Sequence, residues 1–492
     1  MLTFTTTLMD HQAKAVEKLR NVKVGALYMD MGTGKTRTAL GLAVPRKTDG
    51  KVDCILWLCP VSVKRTIADE IQKHLCGATY EMLETSGVKN WDADIYIAGL
   101  ESLSQSISLE FALLELVEKR RCFAVVDESS LVKNHRARRT RAVWRLGERS
   151  QYKLILSGTP ISNNEQDLFS QWYFLDPRIL GYTSFYSFAA NHLEYDPRIP
   201  NRVVRAHDVD HLVAKMAPFI YQVRKDECLD LPPKSYSRRY CQLSERQFWE
   251  YEYTRDRFIE MMERWDDWDW DISTVIFRMF STLQKVVSGK TWDWKDLVDD
   301  PLEHPRIQLL IETIEDLPKD CKVIIWCKYT HEIDMIAQVL EGYGNEVAKL
   351  YGRMTVKQRE RELDRFRGKA DFLIANKRCG AFGLNLQHAN YAIYYSNDFS
   401  WDSRRQSEDR IHRVGQNRNV HIIDFICENT IDERIYDSLM KKESLVDSFR
   451  REIDVQKDVK EAIWRWINGQ EISEPKRVRG GTRACRVHVQ GV

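Results

Sequence analysis

The chain has 492 residues, roughly three times a ~150-residue domain, so a single small core is excluded and two large domains with inserted elements are expected. With 43% hydrophobic, 30% charged and 11% aromatic residues and a formal net charge of +2, the composition is that of a folded chain rather than a disordered one. Near-neutrality means that any affinity for polyanions must come from local patches, and no apolar window approaches the ~18 residues of a membrane helix. The N-terminus, MLTFTTTLMD, lacks the basic and apolar regions of a secretory signal, so no membrane association and an intracellular location are expected. Eleven cysteines are scattered singly without a CxxC pair, which reads as reduced, mostly buried thiols rather than a zinc site.

From Val22 to Leu156, short apolar runs alternate with helix-period segments. Strands are expected at 24–29, 54–59, 94–98, 122–126 and 153–156, with helices such as 36–43 and 108–119 between them. Continuous apolar strands of this kind predict a parallel sheet covered on both faces. The pattern returns at 322–327, 346–350, 371–375, 391–395 and 420–425, with helices at 331–341, 356–367 and 403–414. The fold class is therefore α/β, with two doubly wound sheets. The expected division is a first lobe over 1–165, helical insertions and a linker over 166–304, a second lobe over 305–445, and a C-terminal helix and basic tail over 446–492. Tryptophans alternate with aspartates in RWDDWDWD (264–271) and TWDW (291–294); interleaved aspartates repel phosphate, so packing or protein contact is the expected role rather than base stacking. Residues 475–492 carry five basic groups and no acid, either a tail that touches a phosphate backbone or a merely solvated terminus.

The segment MDMGTGKT, Met29 to Thr36, follows a strand and opens a helix. That context suits a phosphate loop: Gly32, Thr33 and Gly34 turn successive N–H groups toward a phosphate, Lys35 adds a point charge, and the Thr36 hydroxyl can ligate Mg²⁺. Met29 stands where the general pattern has Gly or Ala, and alone the loop could be a glycine turn before a buried helix. A second element, VVDESS, places Asp127 and Glu128 where an apolar strand leaves its sheet. Asp127 suits Mg²⁺ and Glu128 suits polarising an attacking water, so ATP or another nucleoside triphosphate is expected. In QSEDRIHRVGQ (406–416), Gln406, Arg410 and Arg413 fall on one helical face, with Gly415 closing the helix. Two guanidiniums on one face either await an anion, as arginine fingers, or form surface salt bridges with Glu408 and Asp409.

MGTGKT, LCPVSV (58–63), VVDESSLVKN (125–134), LILSGTPISNN (154–164), VRKDECLDLPPK (223–234), KVIIWCKYTHEID (322–334), GAFGLNLQHANYAIYYSNDFSW (380–401) and DRIHRVGQNRNVHIIDFI (409–426) together resemble the helicase-superfamily-two ATPases of the Snf/Swi type. The resemblance runs from about residue 8 to 445 and implies two RecA-like lobes, ATP hydrolysis in the cleft between them, and tracking along duplex DNA. It carries over Gln12 as the glutamine that reads adenine, Lys35 and Thr36 as the phosphate loop, and Asp127 and Glu128 as the acidic motif. Ser157 and Thr159 match the motif coupling nucleotide to DNA, Gly383 and Asn385 the motif joining the sugar-phosphate track to the ATP site, and Arg410 and Arg413 the finger arginines. Departures are Ser129-Ser130 in place of Ala-His, Thr33 in place of Leu, and Ala381 in place of Gly, none of which removes a charge needed for hydrolysis. With no bromodomain-like, chromodomain-like or zinc-finger extension in view, a bare motor is expected.

The expected activity is therefore a DNA-stimulated ATPase that moves along double-stranded DNA, with single-stranded or branched DNA as further partners. A strand-separating DNA or RNA helicase and a non-hydrolysing DNA-bound scaffold are the rival readings. Residues 133–149 hold seven basic groups, Arg136 and Arg139 among them, against the single acid Glu148, and this patch is expected to touch DNA rather than merely solvate a helix face.

Overall fold

The computed structural model describes residues 2–158, 165–195, 197, 203–263, 272–377 and 384–442. These fall into two compact units, one formed by residues up to 238 with 316–424, the other by 239–315 with the described residues from 425 onward.

The first unit contains a seven-stranded sheet and most of a six-stranded one. Strands β1 (Val24–Met29), β2 (Cys54–Cys59), β3 (Tyr80–Met82), β4 (Ile95–Gly99), β5 (Cys122–Asp127), β6 (Tyr152–Ser157) and β7 (Ile220–Val223) lie in the order β7-β1-β6-β5-β2-β4-β3, every pair parallel. All six residues of β1, β2 and β5 are buried, as two-sided cover requires. Alternate side chains feed two separate cores: Tyr28, Leu56, Leu58 and Val126 one, Leu27, Met29, Trp57 and Val125 the other. Helices α1 (Asp10–Leu19) and α2 (Lys35–Thr48) pack together beside β1, while α3 (Arg138–Arg149) buries Ala142, Val143 and Leu146 in the opposite core.

The second sheet takes β8 (Lys234–Cys241), β9 (Val323–Cys327), β10 (Val347–Leu350), β11 (Phe372–Asn376), β12 (Tyr391–Tyr394) and β13 (Val420–Cys427) in the order β8-β13-β12-β9-β11-β10. Helix α4 (Trp401–Ile411) follows β12. The α/β fold class with two parallel sheets thus holds, and every expected strand is present within a residue or two. Three strands of these two sheets escaped sequence reading: β3, β7 and β8 are short or polar segments at sheet edges, where exposure removes the apolar run that marks a central strand. Two of them, β7 and β8, lie in the segment expected to be helical.

The second unit contains helices Glu245–Glu263, Ile272–Val287, Pro305–Glu315 and Ile431–Lys441. The Tyr251 hydroxyl accepts the Ile431 N–H at 2.8 Å, and buried Arg306 pairs with Asp432. Trp292 and Trp294 are half exposed, with Lys285 Nζ 4.2 Å above the Trp294 ring, an intramolecular contact of the kind expected for TWDW. RWDDWDWD and the basic tail lie outside the described residues. Among the described cysteines, Cys54, Cys59, Cys122, Cys321, Cys327 and Cys427 are buried and outside any disulfide.

Candidate nucleotide site

Between β1 and α2, Gly32 and Gly34 both adopt φ +82°, the left-handed region open to glycine. Space demands glycine as well: a Cβ on Gly34 would lie 2.1 Å from Gln12 Nε2, and one on Gly32 would lie 3.1 Å from Arg413 Cβ. Lys35 Nζ donates to the carbonyls of Met29 at 2.9 Å and Asp30 at 3.3 Å, which holds the ammonium at the loop. Thr33 Oγ1 donates to Asp30 O at 2.7 Å, while Thr33 O accepts from Gln12 Nε2 at 3.1 Å and lies 2.8 Å from His11 Nε2. Gln12 is therefore placed as a brace behind the loop, its own Oε1 accepting the Met9 N–H at 3.1 Å. Thr36 sits in the first turn of α2.

The sheet order explains how residues far apart in sequence share this edge. Strand β6 lies between β1 and β5, with Ser157 paired to Tyr28 and Leu156 paired to Asp127, so all three strands end level. A Cβ on Gly158 would stand 3.7 Å from Lys35 Nζ. Asp127 and Glu128 are both buried, and Glu128 holds φ +51°, a conformation costly for a residue with a side chain. Its N–H donates to Asp127 Oδ1 at 3.0 Å, tying the two together. Burial pushes the Asp127 carboxyl up to about 6, the Glu128 charge adds to that, and Lys35 opposes it. Two buried carboxylates that disfavour each other's charge fit a divalent cation. Mg²⁺ asks only for one or two carboxylates beside phosphate and water oxygens, so it needs no larger cluster of ligands.

The opposite wall comes from α4 and the turn after it. Arg410 is buried, with Nη2 3.5 Å from Met31 Sδ of the glycine loop. Burial pushes its guanidinium down to about 10, against the pull of Glu128, Asp409 and Asp127. Arg413 corrects the expectation of one helical face: α4 ends at Ile411, and His412 leaves it at φ −90°, ψ 83°. Two contacts hold that departure, Lys225 Nζ donating to His412 O at 2.7 Å and the His412 ring meeting Pro232 O at 2.8 Å. Arg413 then turns to donate to Asn385 Oδ1, joining two residues singled out in sequence for different motifs. The local salt-bridge alternative does not form: Glu408 takes Arg404 at 2.9 Å and Lys234 at 3.1 Å, and Asp409 takes Lys225 at 2.5 Å.

Ser157 is buried at the end of β6, while Thr159 and Gly383 lie outside the described residues. The basic patch is only partly available. Lys133 pairs with Asp167, Arg145 with Glu110 and Arg149 with Glu118, and Arg139 is half-buried. Arg136, Arg138 and Arg141 are exposed toward the start of α3, Arg136 meeting the Tyr186 hydroxyl at 3.3 Å. Sequence reading missed His11, Asp30, Lys225 and Arg405. Arg405 Nη2 reaches Asp30 Oδ1 at 2.5 Å, and the Lys225 N–H reaches Asp30 Oδ2 at 3.1 Å. Asp30 stood inside the recognised loop, but only its distant partners give it a role.

Residues 11–291 match the SNF2-related domain and residues 305–415 the helicase conserved C-terminal domain. An uncharacterized ATP-dependent helicase of Mycoplasma genitalium is 26% identical over 449 residues, covering 88% of this chain and 41% of that protein. The ATP-dependent helicase FUN30 of Saccharomyces cerevisiae is 22% identical over 544 residues, covering 93% of this chain and 48% of that protein. The chain thus spans less than half the length of either relative. The SWI2/SNF2 ATPase core of Sulfolobus solfataricus, solved in complex with dsDNA, aligns at a TM-score of 0.43 and 23% identity over 95% of this chain and 98% of that one. No helix among the described residues is long and apolar enough to cross a membrane.

Proposed function

The chain belongs to the SNF2-related domain family, and from that premise we propose that it is an ATP-driven motor that moves along double-stranded DNA. ATP is held between the glycine loop and the arginine wall. The observation that carries this reading is Arg410, a buried guanidinium on α4 of the second sheet's side that reaches Met31 of the loop and feels the charges of Glu128 and Asp127. A buried guanidinium facing a glycine loop, a lysine and an acid pair is the set of charges that phosphoryl transfer uses.

Each residue then has a part. Backbone N–H groups from Gly32 to Thr36 and the Lys35 ammonium receive the phosphates. Asp127 and the Thr36 hydroxyl would hold Mg²⁺, which would supply charge neutralisation at the phosphate oxygens. Glu128, fixed in its left-handed conformation beside Asp127, orients and polarises the attacking water. Arg410 and Arg413 meet the charge that develops on the transferred phosphoryl group. Gln12 and His11 hold the loop in shape through Thr33 O, so Gln12 serves the loop as well as any base it reads. Because Arg413 also binds Asn385, a change at the phosphate passes to the segment expected to follow the DNA backbone. Alternate gripping by the two lobes as they close and open on nucleotide gives movement. Exposed Arg136, Arg138 and Arg141 give a sequence-independent hold on duplex phosphates.

The test is ATP turnover by the purified protein titrated in parallel with duplex DNA, single-stranded DNA and RNA. Stimulation by duplex DNA, without displacement of a strand from a forked duplex, supports the translocase reading. Turnover indifferent to all three nucleic acids refutes it, and no turnover at all returns the scaffold reading.

A further inference from the structure

The segment joining the two sheets is tied to both walls of the nucleotide site. At one end β7 lies beside β1, and the Asp30 N–H donates to Val223 O at 3.2 Å, so the joining segment and the glycine loop leave the first sheet together. Two residues later the Lys225 N–H donates to Asp30 Oδ2. At the other end the same segment grips the arginine wall. Lys225 Nζ donates to Asp409 Oδ1 at 2.5 Å and His412 O at 2.7 Å, Pro232 O meets the His412 ring, and Lys234 with the Tyr236 hydroxyl holds Glu408. Lys225 is the one residue of this segment that contacts both walls among the described residues, and its Cε lies 3.9 Å from where a Gly32 Cβ would stand. It is 8% exposed, so these contacts are shielded from water.

We infer that Lys225 is a positioning residue for hydrolysis, setting the reach of Arg410 and Arg413 toward the phosphates by holding the end of their helix against the glycine loop. The inference rests on the ATPase reading above. Its geometric core is the way α4 terminates. Asp409 immediately precedes Arg410, and His412 immediately precedes Arg413, so one ammonium fixes the neighbour of each finger. Its bond to His412 O, beside the Pro232 O contact with the His412 ring, holds the break in helical geometry at His412 that redirects Arg413. Pro232 holds only the His412 ring, so loss of Lys225 frees the His412 carbonyl and the Asp409 carboxylate together and loosens the seat of both arginines. Burial pulls the Lys225 ammonium below its ordinary range while Asp409 pulls it back, as for a cation kept in a dry place by its partner.

The test uses the intact chain with K225M, K225R and K225M/D409N, the last because K225M alone leaves the Asp409 carboxylate buried without its cation. K225M is expected to lower DNA-stimulated kcat by up to about 100-fold, the cost of a reacting group displaced by about an ångström. KM for ATP stays near that of the unaltered protein, since both side-chain bonds of Lys225 are made to the arginine wall. K225R, which keeps the charge and can reach both acceptors, recovers most of kcat. K225M/D409N melts like the unaltered protein but keeps the low kcat, because neutralising the pair restores stability without restoring the tie. The inference is overturned if K225M turns over ATP normally, if KM rises in step with the loss of kcat, or if K225M/D409N regains full kcat. Absence of turnover in the unaltered protein overturns the ATPase reading itself, and the inference with it.

Discussion

The two walls of the nucleotide site are built at different ranges. On the glycine-loop wall, Lys35 is held by a carbonyl six residues away, Thr33 by one three residues away, and Glu128 by its immediate neighbour. On the arginine wall, Arg405 and Arg410 meet partners 375 and 379 residues away, and Asp409 is held by a lysine 184 residues away. The loop's own bonds are short-range, whereas the arginine wall meets the loop only through contacts between residues of the two sheets' sides. If the lobes close and open on nucleotide as proposed, the short-range bonds persist and the long-range contacts are the ones that break.

That contrast also governs what sequence could disclose. The glycine loop, the acid pair and the central strands were legible, because their signals are a left-handed turn, a carboxylate at a strand end and an unbroken apolar run. Arg410 and Arg413 were legible as a pair, but their shared helical face was not the observed arrangement, since the break at His412 is imposed by Lys225 and Pro232 from another part of the chain. Asp30 and Arg405 carried no signal: a single acid and a single base acquire a role only when the fold makes them neighbours. Edge strand β7 was hidden for the related reason that its identity comes from β1, to which it pairs, rather than from its own sequence of Ile, Tyr, Gln and Val.

Removing the local wall has the largest expected effect. Lys35→Ala deletes the point charge over the phosphates, and turnover should fall below detection in a phosphate-release assay; a fully active variant would show the loop to be misread. Removing the distant wall should leave binding in place. Arg413→Ala is expected to lower turnover by ~10³ to 10⁵-fold, the range for a finger arginine, with ATP still retained in a nucleotide-binding assay. Equal losses of binding for the two variants would erase the distinction between a wall that receives ATP and a wall that acts on it.

A smaller effect separates the two ends of α3, where the same comparison recurs on a surface. Arg145 and Arg149 near its end are taken by Glu110 and Glu118, whereas Arg138 and Arg141 are exposed and have no ion pair among the described residues. Duplex affinity measured against salt should therefore lose about one unit of slope for Arg138→Ala or Arg141→Ala, together with a few-fold loss of affinity. Arg145→Ala, whose charge is already spent on Glu110, should leave the slope where it was. A uniform response along the helix would mean that net charge rather than exposure sets the hold on DNA.

The smallest expected effect tests whether the glycine-loop wall stores a cost for its function. Asp127 is pushed up to about 6 from an ordinary value of 3.8, mainly by burial and then by Glu128. A carboxyl raised on folding contributes stability that is complete below its unfolded value and is lost as pH climbs through the folded one. With divalent cations chelated, the unaltered protein should therefore lose stability between about pH 4 and pH 7 relative to Asp127→Asn, which has no charge to desolvate. At pH 8 the variant should melt about 1–3 °C higher, and near pH 4 the two should melt together, while the variant hydrolyses no ATP at either pH. A lower melting temperature for Asp127→Asn at pH 8 would mean that the buried carboxylate is already compensated within the protein, and that the acid pair is not kept in wait for a cation.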